Sequence, residues 1–219
     1  MKELLESCGI TLNSEQLDQL WRYHNLLRSR NQDRDLTRIT GFEPMVIKHY
    51  VDSMIVGKFY TLPSPLLDVG TGAGFPGIPI KIRYPHIKLI LAEPRPRRVL
   101  FLQEACRLLQ FKNTEVFDHK VVSQSFTKPV AGVITRAVEE MDKTLLRTSG
   151  CLPVGGKAIF LKGPNVDPEI GYVEKRFGGE FKLLLDKAYR LGNTENDRRL
   201  LVWERVSEPK EDRLRTESI

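Results

Sequence analysis

Cysteine and histidine are scarce in this chain, and neither is clustered. Among 219 residues there are three cysteines and four histidines. Cys8, Cys106 and Cys151 are odd in number and far apart, no C-x-x-C pair occurs, and the histidines are isolated. This speaks against a disulfide framework and against a bound metal, and it suits a reducing cytoplasm. No stretch approaches the roughly 18 consecutive apolar residues of a membrane span. The first residues, Met1-Lys2-Glu3-Leu4-Leu5-Glu6, carry acids where a secretory signal needs an apolar run. No internal repeat is visible. What is present is enough apolar content, 41%, for one large domain, or one domain with a small extension, without a covalent staple. A net charge of +6 and a pI near 9.2 favour an anionic partner, nucleic acid first.

The first 60 residues read as helical. Asn13, with Gln16 three positions later, resembles a capping box with Asn in the hydroxyl's place. Leu17, Leu20, Trp21, His24 and Leu27 recur on one helical face, which makes His24 a packed residue rather than a ligand. A second helix is expected to start near Glu43-Pro44, since proline suits a first turn. Val46, Ile47, Tyr50, Val51, Met54 and Ile55 would form its buried face. Leu62-Pro63-Ser64-Pro65 closes the region. From Leu66 onward strands and helices alternate, the pattern of an α/β fold whose mostly parallel sheet is covered on both faces. Strands are expected at 66–69, 87–92, 114–118, 132–135 and 158–161, with a closing hairpin from 181–185 and 200–203. A helix over 97–109 is expected to bury Val99, Leu102, Cys106 and Leu109. The domain scheme is a helical extension over 1–63, an α/β domain over 64–206, and a charged tail over 207–219 that reads as disordered.

The most informative segment runs from Leu66-Leu67-Asp68-Val69 into Gly70-Thr71-Gly72-Ala73-Gly74-Phe75-Pro76-Gly77, and Glu93 ends the next apolar strand. Glycines let backbone amides approach a ligand, and a carboxylate at a strand tip can bind ribose hydroxyls. Two spacings coexist. Gly70-x-Gly72-x-Gly74 follows the strand directly after Asp68, the pattern of S-adenosylmethionine (AdoMet) methyltransferases. Gly72-x-Gly74-x-x-Gly77 matches the dinucleotide fingerprint, with Glu93 close to the expected distance of about 20 residues. A dinucleotide needs amides at the helix start for its pyrophosphate. Pro76 deletes one of them, and two residues separate the strand from Gly72. AdoMet has no pyrophosphate and is the preferred reading. A nicotinamide or flavin cofactor, or a turn without a ligand, is the alternative.

Ligands of an open α/β sheet lie beyond the carboxyl ends of its strands. Gly70–Gly74, Glu93, Arg136 and Lys162-Gly163 all fall on that rim. Arg136 and Lys162 are either functional cations or solvated strand-end charge, and their joint occurrence after two apolar strands favours function. Arg198 and Arg199 precede the last strand; they face the same way or belong to a charged hairpin loop. Absences narrow the reaction. After strand 4 the chain reads Thr135-Arg136-Ala137-Val138-Glu139-Glu140, without the Asp/Asn-Pro-Pro-aromatic segment of exocyclic-amine methylation. Cys151, in Gly150-Cys151-Leu152-Pro153, lacks the Pro-Cys order of pyrimidine C5 methylation. What remains is an atom already nucleophilic at neutral pH, such as guanine N7, which has a lone pair and no proton. Alignment alone can then drive transfer, with cations gripping flanking phosphates.

Several stretches together resemble the GidB/RsmG family of bacterial 16S ribosomal RNA guanine-N7 methyltransferases. They are Asp35-Leu36-Thr37, His49 with Asp52-Ser53, Asp68 through Pro79, Arg98 with Phe101-Leu102, Thr135-Arg136-Ala137, Leu161-Lys162-Gly163, and Arg198-Arg199. They occur in the family's order over residues 13 to 206. The glycine core alone is common; its extension through Phe75-Pro76-Gly77-Ile78-Pro79, and Arg136 after strand 4, are more specific. The resemblance implies a Rossmann-like class I AdoMet-dependent methyltransferase with a seven-stranded, mostly parallel sheet, helices on both faces and a helical N-terminal extension. It implies S-adenosyl-L-methionine as cofactor, S-adenosyl-L-homocysteine as product, and N7 of a guanine in small-subunit ribosomal RNA, or in an assembling small subunit, as acceptor. To the turn contacts Gly70, Thr71, Gly72 and Gly74 it adds Phe75, Val121 and Arg136, with Glu93 near the ribose. Val121 is matched by spacing back from Arg136, at a position where the family often has a carboxylate. Asp35 stands where the family usually has Asn. Arg136 and Lys162 are expected to position the guanine, and Arg136, Lys162, Arg198 and Arg199 to bind RNA. A cytoplasmic monomer without a metal and without a membrane partner is expected. His49 and Asp52 either support the pocket or pack their helix, with packing slightly preferred. The competing functions are methylation of a small molecule or protein, and RNA binding without catalysis.

Overall fold

The computed structural model of the chain describes residues 1–136 and 138–208. Its strands are β1 (Leu66–Val69), β2 (Leu89–Ala92), β3 (Thr114–Phe117), β4 (Gly132–Arg136), β5 (Lys157–Lys162), β6 (Phe181–Arg190) and β7 (Asp197–Arg205). They form one sheet in the order β3-β2-β1-β4-β5-β7-β6. β1 to β5 pair in parallel, while β7 lies antiparallel between β5 and β6. All four residues of β1 are buried, as a central parallel strand requires. Because β1 pairs with both β2 and β4, the winding direction reverses there, and a crevice opens at the carboxyl ends of these strands.

Alternation along each strand separates two cores. Leu66, Ile134, Ile159, Leu161, Leu200 and Val202 face one side, together with buried residues of the N-terminal helices. Those helices are α1 (Lys2–Ser7), α2 (Ser14–Arg34), α3 (Phe42–Met45), α4 (Asp52–Met54) and α5 (Val56–Phe59). α6 (Gly77–Arg83) and α7 (Pro96–Leu108) complete that layer. Leu67, Val69, Val133, Ala158, Phe160, Leu201 and Trp203 face the other side, under α8 (Met141–Arg147) and α9 (Asp167–Phe177). Residues 118–131, between β3 and β4, contain no helix; Val121 and Val130 tuck down onto the sheet, with Phe126 packed against the same core.

The expected capping box starts α2: Gln16 N donates to Asn13 Oδ1 at 2.8 Å, and Asn13 N donates to Gln16 Oε1 at 3.0 Å. The Gln16 side-chain amide also donates to the carbonyls of Ile82 and Arg83, fastening the extension to the end of α6. Leu20, Tyr23, His24 and Leu27 form the buried face of α2. Trp21, expected on that face, is 38% exposed and stacks on Phe42 instead. His24 is packed as expected, its Nδ1 2.8 Å from the Tyr50 hydroxyl. All six apolar residues expected to line the second helix are buried. That helix is broken by a π-helical turn over Val46–Val51, between α3 and α4, which periodicity does not register.

Strand ends moved by a few residues. β2 begins at Leu89 rather than at 87, because the Ile87 carbonyl accepts the Lys81 ammonium and its amide donates back to Tyr84. The closing hairpin is longer than expected, with β7 starting at Asp197, so Arg198 and Arg199 lie inside the strand rather than before it. Of the charged tail, Ser207 and Glu208 are held by Arg205, and the Ser207 hydroxyl donates to Gly179 O. The rest of that expected tail, from 209 on, lies outside the described residues.

Candidate active site

The turn after β1 is tied together from within. Gly70 N and Thr71 N both donate to the Ala92 carbonyl, at 2.9 and 3.1 Å, joining the turn to the end of β2. Gly70 and Gly72 have φ of +67° and +61°, a region that disfavours any side chain. Asp68, fully buried, accepts from the Thr71 hydroxyl at 2.6 Å and from Gly77 N at 2.8 Å, both on Oδ2. Burial pushes its carboxyl up to about 7, against the pull of those two donors. Ile78 N is taken by the Gly74 carbonyl, and Pro76 and Pro79 have no amide hydrogen. No amide in the first turn of α6 is therefore left for a pyrophosphate, which removes the dinucleotide reading.

Glu93 closes the other side of the turn. Its Oε2 accepts from Gly72 N at 3.1 Å and its Oε1 from Arg95 N at 2.9 Å, so the carboxylate is held before any ligand arrives. Arg98, on α7, lies 4.0 Å from Glu93 and donates to the Asp35 carbonyl at 2.8 Å, linking that carboxylate to the loop after α2.

Arg136 is the centre of the second half of the site. At the end of β4, its guanidinium donates to the Lys48 carbonyl at 2.7 Å and lies 3.3 Å from Asp52 and 2.9 Å from His49 Nδ1. Guanidinium has donors only, so His49 Nδ1 accepts, and the ring proton sits on Nε2, 2.8 Å from the Thr37 hydroxyl. Burial, then the nearby Arg136 charge, push the imidazole down to about 3. The His49 ring stacks on Phe75 at 4.3 Å, with Arg136 5.1 Å from the same ring. Asp52 also accepts from the Tyr189 hydroxyl at 3.0 Å and lies 3.7 Å from Arg198. Thus His49 and Asp52 do more than pack: they aim Arg136. Lys162, at the end of β5, donates to Glu139 O and pairs with Glu169 at 2.8 Å.

These groups surround one cleft of about 720 Å³, a size suited to a cofactor with part of a second substrate. Gly70, Thr71, Gly72, Phe75, Glu93, Val121, Arg136, Lys162 and Arg198 all line it. Two expected residues do not. Gly74 is off the wall; its φ of +101° and the closeness of Ile78 Cδ1, 2.4 Å from an added Cβ, give it a packing role. Arg199 points away from Arg198, as neighbours in a strand do, and pairs with Asp167 and Asp186. Tyr23, Thr37 and Lys48 were missed. Tyr23, whose hydroxyl caps the Ala73 carbonyl of the turn, was legible from its place on the α2 stripe; Thr37 stood in the resembling stretch Asp35-Leu36-Thr37 but was given no role, and Lys48 had no signal.

The cleft fits AdoMet. A bare-backbone turn, a pre-held acid at the end of β2, and apolar Val69, Ala92 and Val121 suit an adenosyl group, and a Cβ at Gly70 would come within 2.8 Å of Val138. Fold and cleft together define a class I AdoMet-dependent methyltransferase. A ribosomal protein L11 methylase from Lactobacillus delbrueckii subsp. bulgaricus has the same fold, with a TM-score of 0.55 at 15% identity over 73% of this chain and 79% of that one. The chain belongs to the GidB family, described as rRNA small subunit methyltransferase G, whose family model matches residues 16–184. It is 49% identical over 218 residues to "Ribosomal RNA small subunit methyltransferase G 2" of Syntrophobacter fumaroxidans, covering 100% of this chain but 43% of that protein. It is 40% identical to a protein of the same name from Bdellovibrio bacteriovorus, over 97% of this chain and 84% of the relative. No helix among the described residues is long and apolar enough to cross a membrane.

Proposed function

We propose that the chain transfers a methyl group from S-adenosyl-L-methionine to N7 of a guanine in small-subunit ribosomal RNA, acting as a cytoplasmic monomer. The observation that carries this reading is that the buried acids and imidazole of the cleft are already committed. His49 is neutral with both ring nitrogens engaged, Asp52 serves Tyr189 and two arginines, and Glu93 is held by two amides. Each of these groups is engaged by fixed partners within the protein, and guanine N7 has no proton for a base to take. The relatives' names supply the RNA, and the cations of the cleft support it.

Gly70, Thr71, Gly72, Phe75 and Val121 would hold the cofactor, with Glu93 taking the ribose hydroxyls. When bound, AdoMet supplies an electrophilic methyl group on a sulfonium. The protein's own part is to orient the acceptor: Arg136, fixed by three partners, and Lys162 are cations held at the rim where the base would enter. Because no proton is abstracted, the rate gain rests on proximity and alignment.

The test is transfer of labelled methyl from AdoMet to small-subunit RNA that lacks its natural methylation. Label in the RNA, declining as salt rises, is expected. Label transferred only to protein or to small molecules, at a rate indifferent to RNA, overturns the reading.

A further inference from the structure

The cations of the cleft fall into two groups. Arg136, Lys162, Arg147, Arg198 and Arg98 each have a carboxylate within 4.0 Å. The field of such a pair is largely cancelled a few ångströms away, and a paired cation that takes a phosphate must share or release its carboxylate. Lys48, Arg95 and Lys120 line the same cleft. Among the described residues none of the three has an ion pair, and Arg95 and Lys120 are exposed while Lys48 is half-buried.

These three come from separate elements: Lys48 from the π-helical turn of the extension, Arg95 from the loop after β2, Lys120 from the loop after β3. Two of them sit directly beside fixed site residues. The Lys48 carbonyl holds Arg136, and the Arg95 amide holds Glu93. Their backbones are therefore anchored, while among the described residues no partner holds their charged ends. An anion entering the cleft meets uncompensated charge from these side chains.

We propose that Lys48, Arg95 and Lys120 are the phosphate contacts that seat the RNA backbone over the cleft, and that Arg199 takes no part. This rests on RNA being the substrate. The division of labour has a physical logic. Paired cations are oriented and rigid, which suits aiming a base, whereas unpaired ones exchange small counterions for phosphates and so supply salt-dependent affinity.

The experiment measures binding of unmethylated small-subunit ribosomal RNA to the full chain across a salt series, with S-adenosyl-L-homocysteine present. Each phosphate contact contributes about 0.7 to 0.9 to the slope of log affinity against log salt. Lys48→Gln, Arg95→Gln and Lys120→Gln are each expected to lower the slope by about that amount, and the triple variant by about 2 to 3. Arg199→Gln is expected to leave it unchanged. All four backbones keep their hydrogen bonds, and thermal melting checks that the variants are folded. Wild-type slopes in the three single variants, with RNA still bound here and still methylated in a parallel reaction with AdoMet, overturn this proposal and leave the function standing. So does a slope that falls for Arg199→Gln and not for the three. A wild-type chain that binds no RNA overturns both.

Discussion

Replacing His49 by phenylalanine separates aiming from packing. The ring that stacks on Phe75 at 4.3 Å is kept, while both nitrogens are lost. Arg136 keeps the Lys48 carbonyl and Asp52 but loses its 2.9 Å acceptor. A hydrogen bond to a charged group is worth about 1.5 to 3 kcal/mol. If that restraint is expressed at the reacting geometry, the single-turnover rate should fall about ten- to hundredfold, at roughly 1.4 kcal/mol per factor of ten. AdoMet affinity should hold, because Phe75 and the turn are untouched. His49→Asn offers an amide oxygen near the position of Nδ1 and should recover much of the loss. The assay is single-turnover methyl transfer with saturating AdoMet, beside calorimetric AdoMet binding. A folded His49→Phe protein at the wild-type rate, or an Asn variant as slow as Phe, would refute the positioning role. The same residue leaves a stability signature. Its folded value lies below the ordinary 6.5, so its contribution is full above that pH and is lost as pH falls toward about 3. The stability deficit of His49→Phe should therefore shrink between pH 7 and pH 4 in urea titrations.

Asp68 titrates with the opposite sign. Its folded value is raised to about 7 from an ordinary 3.8, with burial the main cause, so its contribution is present at acid pH and is lost as pH rises through 7. Asp68→Asn should gain stability relative to wild type as pH goes from 4 to 8, by at most about 1.4 kcal/mol per unit; a difference flat in pH would count against the buried-acid account. Gly74→Ala places a Cβ 2.4 Å from Ile78 Cδ1 at a φ of +101°. It should destabilise by about 1 to 3 kcal/mol and spare AdoMet affinity in the folded fraction, whereas Gly72→Ala, strained at a φ of +61° but on the cleft wall with its added Cβ only in ordinary contact with Arg98 at 3.7 Å, should also weaken AdoMet binding. Calorimetry and melting on both variants distinguish these roles, and full stability with lost affinity in Gly74→Ala would reverse them.

What the sequence made legible was local. The β1 strand, its glycine turn and Glu93 lie within 28 residues and are joined by short hydrogen bonds, so spacing alone brought together the turn and the acid proposed to hold the cofactor. The substrate side was harder. Arg136 was visible as a cation after an apolar strand, but the groups that aim it, Lys48, His49 and Asp52, lie 84 to 88 positions earlier. They reach the cleft at and just after a π-helical turn that a 3.6-residue period does not register. Arg198 and Arg199 looked equivalent until the register of β7 sent one toward Asp52 and the other toward Asp186. The ends of the closing hairpin were short because its outer residues are polar, and pairing rather than hydrophobicity extends them.

The most direct test of the central claim, methyl transfer to an atom that needs no base, is the position of the methyl group. Small-subunit RNA methylated by the wild-type chain, and by Arg136→Ala in parallel, is digested to nucleosides and resolved by mass spectrometry against standards. The account predicts N7-methylguanosine from the wild type and little from the variant. A methyl group on an exocyclic amine, on a ring nitrogen that first has to lose a proton, or on a pyrimidine carbon would contradict it.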